Sequence, residues 1–300
     1  MMFISIIVPF YNVEPYIEKC IRSLYNQDIP HDEYEVICID DSSPDGSRAI
    51  VEDLQKEYST LRLICHSENK RQGGARNTGL KSAKGKYVWF VDSDDYVLPN
   101  VLSTIVQTAE KDELDVLQFT ANTTTLPENA GVMSGVEYAL MDDDWSSRLP
   151  LMWRTVFLRS FLQKNDLSFV EYVQFEDTDF ALRAYLAANR VRCVNYPAYV
   201  YCVHPESTVH RANSPIKIFE QVLLLNRTSK ILEQSMDARY EDLLKRYVKS
   251  ELSILGMQVN QLSFKDRLIY TKMVNALSLR WFCKYTSTRN ALRLKYGLCL

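Results

Sequence analysis

Closely spaced cysteine pairs are missing from this 300-residue chain. Its seven cysteines (Cys20, Cys38, Cys65, Cys193, Cys202, Cys283 and Cys299) are odd in number, scattered and without CxxC spacing. That pattern argues against both a disulfide framework and a zinc site. A charge surplus is missing too: a net charge of −3 gives no global reason to expect nucleic acid. Met1 to Phe10, the longest apolar stretch near the N-terminus, has no basic leader and is broken by Pro9. It reads as a first strand, neither a signal peptide nor a membrane span. Internal repeats and low-complexity tracts are absent as well. A cytoplasmic protein with reduced thiols is the expectation. With 46% hydrophobic residues, the chain can bury a large core in one large domain or two smaller ones.

What is present is an unusual concentration of acid. Asp92-Ser93-Asp94-Asp95 follows directly on the apolar run Tyr87-Val88-Trp89-Phe90-Val91. Such a run reads as a buried strand, so the carboxylates emerge at its C-terminal edge, where open α/β sheets bind ligands. Carboxylates crowded without His or Cys suit a hard cation, Mg²⁺ or Mn²⁺, shared with substrate phosphates. The plainer alternative is a solvated acidic turn ahead of the helix expected near Pro99.

The first part of the chain alternates strand and helix. Ser5 to Val8 reads as a strand and Glu14 to Asn26 as a helix, with Pro15 near its start and Ile17, Cys20, Ile21 and Leu24 on one face. The strand Glu35 to Ile39 ends in Asp40-Asp41-Ser42-Ser43, and a helix over Ser47 to Tyr58 and a strand over Leu61 to Cys65 follow. A Gly-rich segment enters a helix at about 73–83, the acidic strand comes next, and Pro99 to Lys111 reads as helix. Repeated units of this length predict a mainly parallel, Rossmann-like sheet flanked by helices. Thr120 to Gly131 reads as a loop and a change of subregion. Gly135 to Ala188 mixes short helices with Phe175-Glu176-Asp177-Thr178-Asp179-Phe180, and Tyr199 to Val203 reads as an apolar strand. From Pro215 onward the pattern is helical hairpins, with Leu244, Tyr247, Val248, Leu252, Leu255, Val259 and Leu262 forming one stripe. The expected division is 1–214, split into 1–119 and 120–214, followed by a helical region, 215–300.

Parallel strands deliver their C-terminal ends to one edge, so Asp40 and Asp41 converge there with the Asp92 cluster. A carboxylate beside a nucleotide can accept the imide N–H of uracil, although Asp41 or Ser42 might equally form a turn ahead of Gly46. Between the acidic strands lies Asn69-Lys70-Arg71-Gln72-Gly73-Gly74-Ala75-Arg76-Asn77-Thr78-Gly79. Its basic residues could neutralise a pyrophosphate and its glycines allow close backbone approach; a helix start with a solvated basic face is the alternative.

Four motifs stand in order: Ile6 to Asn12, Val36 to Gly46, Gly73 to Leu80 and Asp92 to Asp95. Together they resemble the nucleotide-sugar half of a family 2 glycosyltransferase with the A-type fold. The resemblance extends less sharply to Trp153 to Leu158 and to Glu176-Asp177. It implies that Pro9 and Tyr11 border the base, Asp40 binds it, Asp92 meets the ribose or the metal, and Asp94 coordinates Mn²⁺ or Mg²⁺ on the diphosphate of a UDP-sugar. It implies Asp177 as the base that deprotonates the acceptor, with Glu176 as its neighbour. Arg71 and Arg76 complete the expected nucleotide contacts. Two adjacent acids between Phe175 and Phe180 should have raised proton affinity, unless the segment only caps the helix from Thr178 to Ala188. His204 is a candidate to complete the metal shell and His210 a weaker one, against ordinary structural histidines.

The QxxRW signature of processive members is absent, which favours transfer of one sugar at a time to a glycan or lipid-linked acceptor, as in surface polysaccharide synthesis. Two other classes compete. A sugar nucleotidyltransferase normally carries a glycine-rich loop after its first strand, where this chain has Phe10-Tyr11-Asn12-Val13-Glu14-Pro15. An inactive nucleotide-sugar-binding or scaffold protein would be expected to have lost one of the acids, and none is missing. Finally, residues 265–300 carry eight basic residues against the single acid Asp266, interleaved with Trp281, Phe282 and Tyr285. Such helices either lie on an anionic membrane, here the inner face of the cell membrane, or pack on the rest of the chain with a solvated basic face.

Overall fold

The computed structural model describes residues 2–122, 131–141, 151–203, 213–233 and 238–275. It divides into two compact units, residues 1–138 with 149–202 and residues 139–148 with 203–300.

In the first unit the expected alternation is realised with shifts of a few residues at element ends. Strands β1 (Ile4–Phe10), β2 (Tyr34–Asp40), β3 (Leu61–Cys65) and β4 (Tyr87–Phe90) alternate with helices α1 (Ile17–Tyr25), α2 (Ser47–Glu57) and α3 (Arg71–Ser82). β1 and β2 are buried at every position, as expected of central strands covered on both faces. β5 (Tyr96–Val97), α4 (Leu102–Lys111), β6 (Val116–Ala121), α5 (Gly135–Ala139), β7 (Thr155–Leu158), α6 (Arg159–Lys164), α7 (Glu176–Ala187) and β8 (Val191–Val200) follow.

One eight-stranded sheet results, in the order β3-β2-β1-β4-β7-β6-β8-β5. The pairs β2–β3, β1–β2 and β1–β4 are parallel, and so is β6–β8. β7 is antiparallel to both its neighbours, β4 and β6, and β5 pairs antiparallel with β8. The sheet is therefore parallel where βα units supply it and mixed where β7 and β5 enter. Two apolar clusters fill its two faces. Trp89, Phe119, Trp153 and Tyr199 centre one, and Phe90, Phe157, Phe169 and Phe180 the other.

Two expectations shift. The strand expected at Tyr199 to Val203 instead begins at Val191, and residues 201–203 lie beyond it. Its burial alternates at the start, with Val191 and Cys193 buried, opens around Asn195 and Pro197, and closes again at Ala198 and Tyr199, where the pairing with β6 shifts register. Trp153 to Leu158 holds the added strand β7, too short to announce its own period. Its position is locked by the Trp89 indole N–H, which donates to the Trp153 carbonyl at 2.7 Å.

The second unit is helical: α8 (Pro215–Glu233), α9 (Ala238–Gln261) and α10 (Phe264–Asn275). On α9 the expected stripe of Tyr247, Val248, Leu252, Leu255 and Val259, with Leu262 just beyond, is buried. The side chain of Leu244 lies outside the described residues. No described helix is long and apolar enough to cross a membrane. The described cysteines, Cys20, Cys38, Cys65, Cys193 and Cys202, are free thiols.

Candidate active site

The C-terminal ends of β1, β2 and β4 open on one edge of the parallel half, and each carries residues singled out in the sequence. Pro9 is buried within β1, and Tyr11, just beyond it, is 48% exposed. At the end of β2 the buried Asp40 accepts the Ser43 amide at 2.8 Å through Oδ1. Asp41, one residue on and just past the strand, has different partners. It is buried and accepts the Lys70 amide and a His66 ring nitrogen, both at 2.8 Å, on Oδ1. Of the two carboxylates, that of Asp40 is held within its own turn, whereas that of Asp41 is tied to residues 66 and 70.

Past β4 the three acids part ways. Asp95 is buried and accepts the Tyr199 hydroxyl at 2.6 Å and the Cys202 amide at 2.7 Å, so it fastens β8 to the turn. Burial, helped by the neighbouring Asp92 and Asp94, pushes its carboxyl up to about 7. Asp92 is one-fifth exposed and accepts an Arg76 Nη at 3.0 Å through Oδ1. Burial raises its proton affinity more than the arginine lowers it. Asp94 is partly exposed.

Arg76 is where the structure departs most from expectation. The guanidinium expected at the diphosphate is 2% exposed, turned inward on α3. Its Nη2 meets Asp92 and its Nη1 meets Glu176 Oε1 at 2.5 Å, while the group lies 5.5 Å over the Phe169 ring. Arg71, at the start of α3 with φ of 62°, is the more exposed of the two arginines.

Glu176 and Asp177 open α7, where acids are favoured by the helix dipole. Glu176 is buried, and that burial pushes its carboxyl up to about 7 against the opposing pull of Arg76. Asp177 is half-buried and accepts the Thr178 amide at 2.9 Å. Asp179, also buried, pairs with Arg183 one turn along at 2.8 Å. The loop leading into α7 is held by α3. Asn77 donates to the Phe169 carbonyl at 3.0 Å and accepts the Phe169 amide at 2.8 Å, and it reaches Glu171 as well. A side chain on Gly73 would stand 2.3 Å from the Val170 carbonyl oxygen, so only glycine allows this approach.

Asn77, Asp41 and His66 were not foreseen as supports. Asn77 lies inside the Gly73 to Leu80 motif, and its partner Phe169 is 92 positions away. His204 and His210 lie outside the described residues, as does most of the basic tail. Among the described residues no three His, Cys, Asp or Glu side chains gather closely enough to hold a metal alone. The donor set nevertheless fits a hard cation. Asp92 and Asp94 are oxygen donors in a crowded, partly buried cluster, and the Arg76 guanidinium that meets Asp92 is shared with Glu176.

A mixed sheet with paired acids at one edge is the arrangement expected of a nucleotide-sugar transferase of the A-type fold, and comparison with known proteins supports that class. The model of the family "Glycosyl transferase family 2" matches residues 5–138. The chain is 36% identical over 216 residues to the glycosyltransferase EpsJ of Bacillus subtilis, covering 68% of this chain and 62% of that protein. It is 32% identical to EpsH of the same organism, covering 75% and 67%. To the poly(ribitol-phosphate) β-N-acetylglucosaminyltransferase TarS of Staphylococcus aureus it is 30% identical, covering 89% of this chain but 47% of TarS. The chain thus spans about half to two-thirds of the length of these relatives. In three dimensions it superposes on TarS 1–349 in complex with UDP-GlcNAc with a TM-score of 0.78 at 24% identity, covering 96% and 83% of the two chains. This chain belongs to glycosyl transferase family 2.

Proposed function

We propose that the protein moves single sugars from a UDP-sugar to a hydroxyl of a glycan or lipid-linked acceptor in surface polysaccharide synthesis, with inversion at the anomeric carbon. The observation that carries this reading is Arg76, whose one guanidinium ties Asp92, on the donor side, to Glu176, the neighbour of the proposed base. The relatives support the substrate class: TarS acts on poly(ribitol-phosphate), and a Campylobacter jejuni relative, 38% identical over 110 residues, on an undecaprenol-linked glycan.

On this reading Asp40 accepts the uracil imide N–H, with Pro9 and Tyr11 bordering the ring. Arg71 meets the nucleotide, and Arg76 acts from behind by holding Asp92 in place. Asp92 and Asp94 would hold Mn²⁺ or Mg²⁺, which when bound supplies Lewis-acid neutralisation of the departing diphosphate. Asp177 takes the acceptor hydroxyl proton as that oxygen attacks the anomeric carbon from the face opposite the leaving group. Glu176, pinned by Arg76, keeps the first turn of α7 and hence Asp177 at the sheet edge. His204 is retained as a candidate metal ligand.

Residues 1–214 make up the proposed transferase domain, with 1–119 meeting the nucleotide and 120–214 the acceptor, and residues 215–300 form a helical region. A cytoplasmic location, with peripheral contact to anionic membrane through 265–300, completes the proposal; cosedimentation with anionic vesicles that fails at every ionic strength would remove the membrane contact. The enzyme reading is tested with a panel of nucleotide sugars and Mn²⁺. Donor hydrolysis or transfer for at least one UDP-sugar is expected, and no turnover with any donor, despite nucleotide binding, would leave a binding module.

A further inference from the structure

We propose that His66 is a positioning residue for the nucleoside, acting through Asp41 on the turn that presents Asp40. The assignment rests on the UDP-sugar reading above. His66 follows β3, and its side chain is 6% exposed. Its backbone amide donates to the Asp40 carbonyl at 2.9 Å. Its Nδ1 stands 2.8 Å from Asp41 Oδ1, and because a carboxylate oxygen only accepts, Nδ1 carries the proton. Its Nε2 stands 2.8 Å from the Thr78 hydroxyl on α3. One imidazole therefore joins the ends of β2 and β3 to the middle of α3.

The turn it joins needs such support. Ser42 has φ of 66°, a conformation costly for a residue with a side chain and maintained only when its surroundings over-determine it. Asp41 supplies that determination. Its amide donates to the Phe10 carbonyl, its carboxylate takes the Lys70 amide together with His66, and its carbonyl takes the Asn69 side chain at 3.1 Å. A buried acid so surrounded costs stability if a partner is removed, and it relaxes by moving. Movement of Asp41 displaces Asp40, its covalent neighbour. The support extends toward the acceptor loop, since the Lys70 carbonyl accepts the Tyr172 amide at 3.1 Å and Glu68 accepts the Tyr172 hydroxyl at 3.1 Å. His66 is outside the reacting groups, so its loss should weaken donor binding and leave the chemical step largely intact.

The experiment is calorimetric titration of UDP with Mn²⁺ into the full chain, with steady-state kinetics on the active donor, for wild type, His66→Leu, His66→Asn and Thr78→Val. For His66→Leu the UDP Kd and the donor KM should rise about tenfold, the loss of one hydrogen bond to a charged group, with kcat within about threefold. His66→Asn, whose amide can reproduce Nδ1–H toward Asp41, should recover most of the affinity. Thr78→Val, which keeps the Asp41 contact, should weaken UDP by only about threefold, and it carries the test if His66→Leu does not fold. Unchanged UDP affinity in both His66→Leu and Thr78→Val, or a fall in kcat at constant KM, would overturn the assignment while leaving the transferase reading intact. Failure of wild type to bind UDP would instead remove that reading and this one with it.

Discussion

The two acidic clusters at the sheet edge are built to one plan with different compensation. In each, one acid fastens scaffold: Asp95 holds Tyr199 and the Cys202 amide, and Asp179 holds Arg183. A second in each meets Arg76, and a third, Asp94 or Asp177, is left at least partly accessible. The second cluster begins a helix and owns Arg183 as well as its share of Arg76, so its charge is largely answered from within. In the first, Asp92 has its share of Arg76, and the carboxyls of Asp92 and Asp95 are both pushed up, as is that of Glu176 in the second. The helix start and the internal Arg183 distinguish the second cluster, and on the proposed reading that difference separates a place for a cation from a place for a base.

The sharpest way to break this contrast is Asp177→Asn. Transfer should fall by about 1,000-fold while UDP and Mn²⁺ still bind, because only proton removal is lost. Titration of UDP checks the second half, and a parallel collapse of binding would move Asp177 into the donor cluster. Asp94→Asn should lower turnover by roughly 100-fold and remove the dependence of UDP affinity on Mn²⁺. Asp179→Asn should leave that dependence unchanged, and equal loss in both variants would erase the distinction.

Arg76→Met strikes both clusters together. The buried Glu176 and the partly buried Asp92 would lose their shared cation, and unfolding in urea should show a loss of about 3 kcal/mol. A smaller effect concerns pH. The Glu176 carboxyl, near 7 in the folded chain, lies above its ordinary value of 4.5, so the folded state binds the proton more tightly. Its contribution is complete below about pH 4.5 and is lost as pH rises toward and through about 7. Stability measured across that window should fall by on the order of 2 kcal/mol in wild type and stay flatter in Glu176→Gln. Least of all, Tyr172→Phe removes a single bond at an exposed ring and should change stability by under about 0.5 kcal/mol.

The first four strands and three helices were readable in the sequence because each is a local pattern, an apolar run or a 3.6-residue stripe, and acids at strand ends follow from that alone. Partnerships across the chain were not. Arg76 and Glu176 are 100 positions apart, and Tyr199 and Asp95 are 104 apart. An arginine beside glycines reads as a phosphate ligand or as part of a solvated basic face, and its burial between two acids shows only once its partners are placed. The four residues of β7 carry no period of their own, and their place between β4 and β6 depends on tertiary contacts such as Trp89 to Trp153. His66 carries no signal of its own in the sequence, because its partners Asp41 and Thr78 lie 25 and 12 positions away.

The hold of α3 on the segment before α7 has a consequence for how such a protein can diversify. Asn77 grips Phe169 from both sides of its peptide, and Arg76 grips Glu176, so residues 170–175 begin and end at fixed anchors supplied by adjacent positions of one helix. A stretch anchored at both ends by the same rigid rod behaves as an exchangeable cartridge. Its interior is tied as well, through the Val170 carbonyl against Gly73 and through Tyr172 against Lys70 and Glu68, so what can be rewritten is the side chains those contacts leave open rather than the length of the stretch. Diversity can then accumulate by local replacement in this stretch while the sheet edge behind it stays as it is.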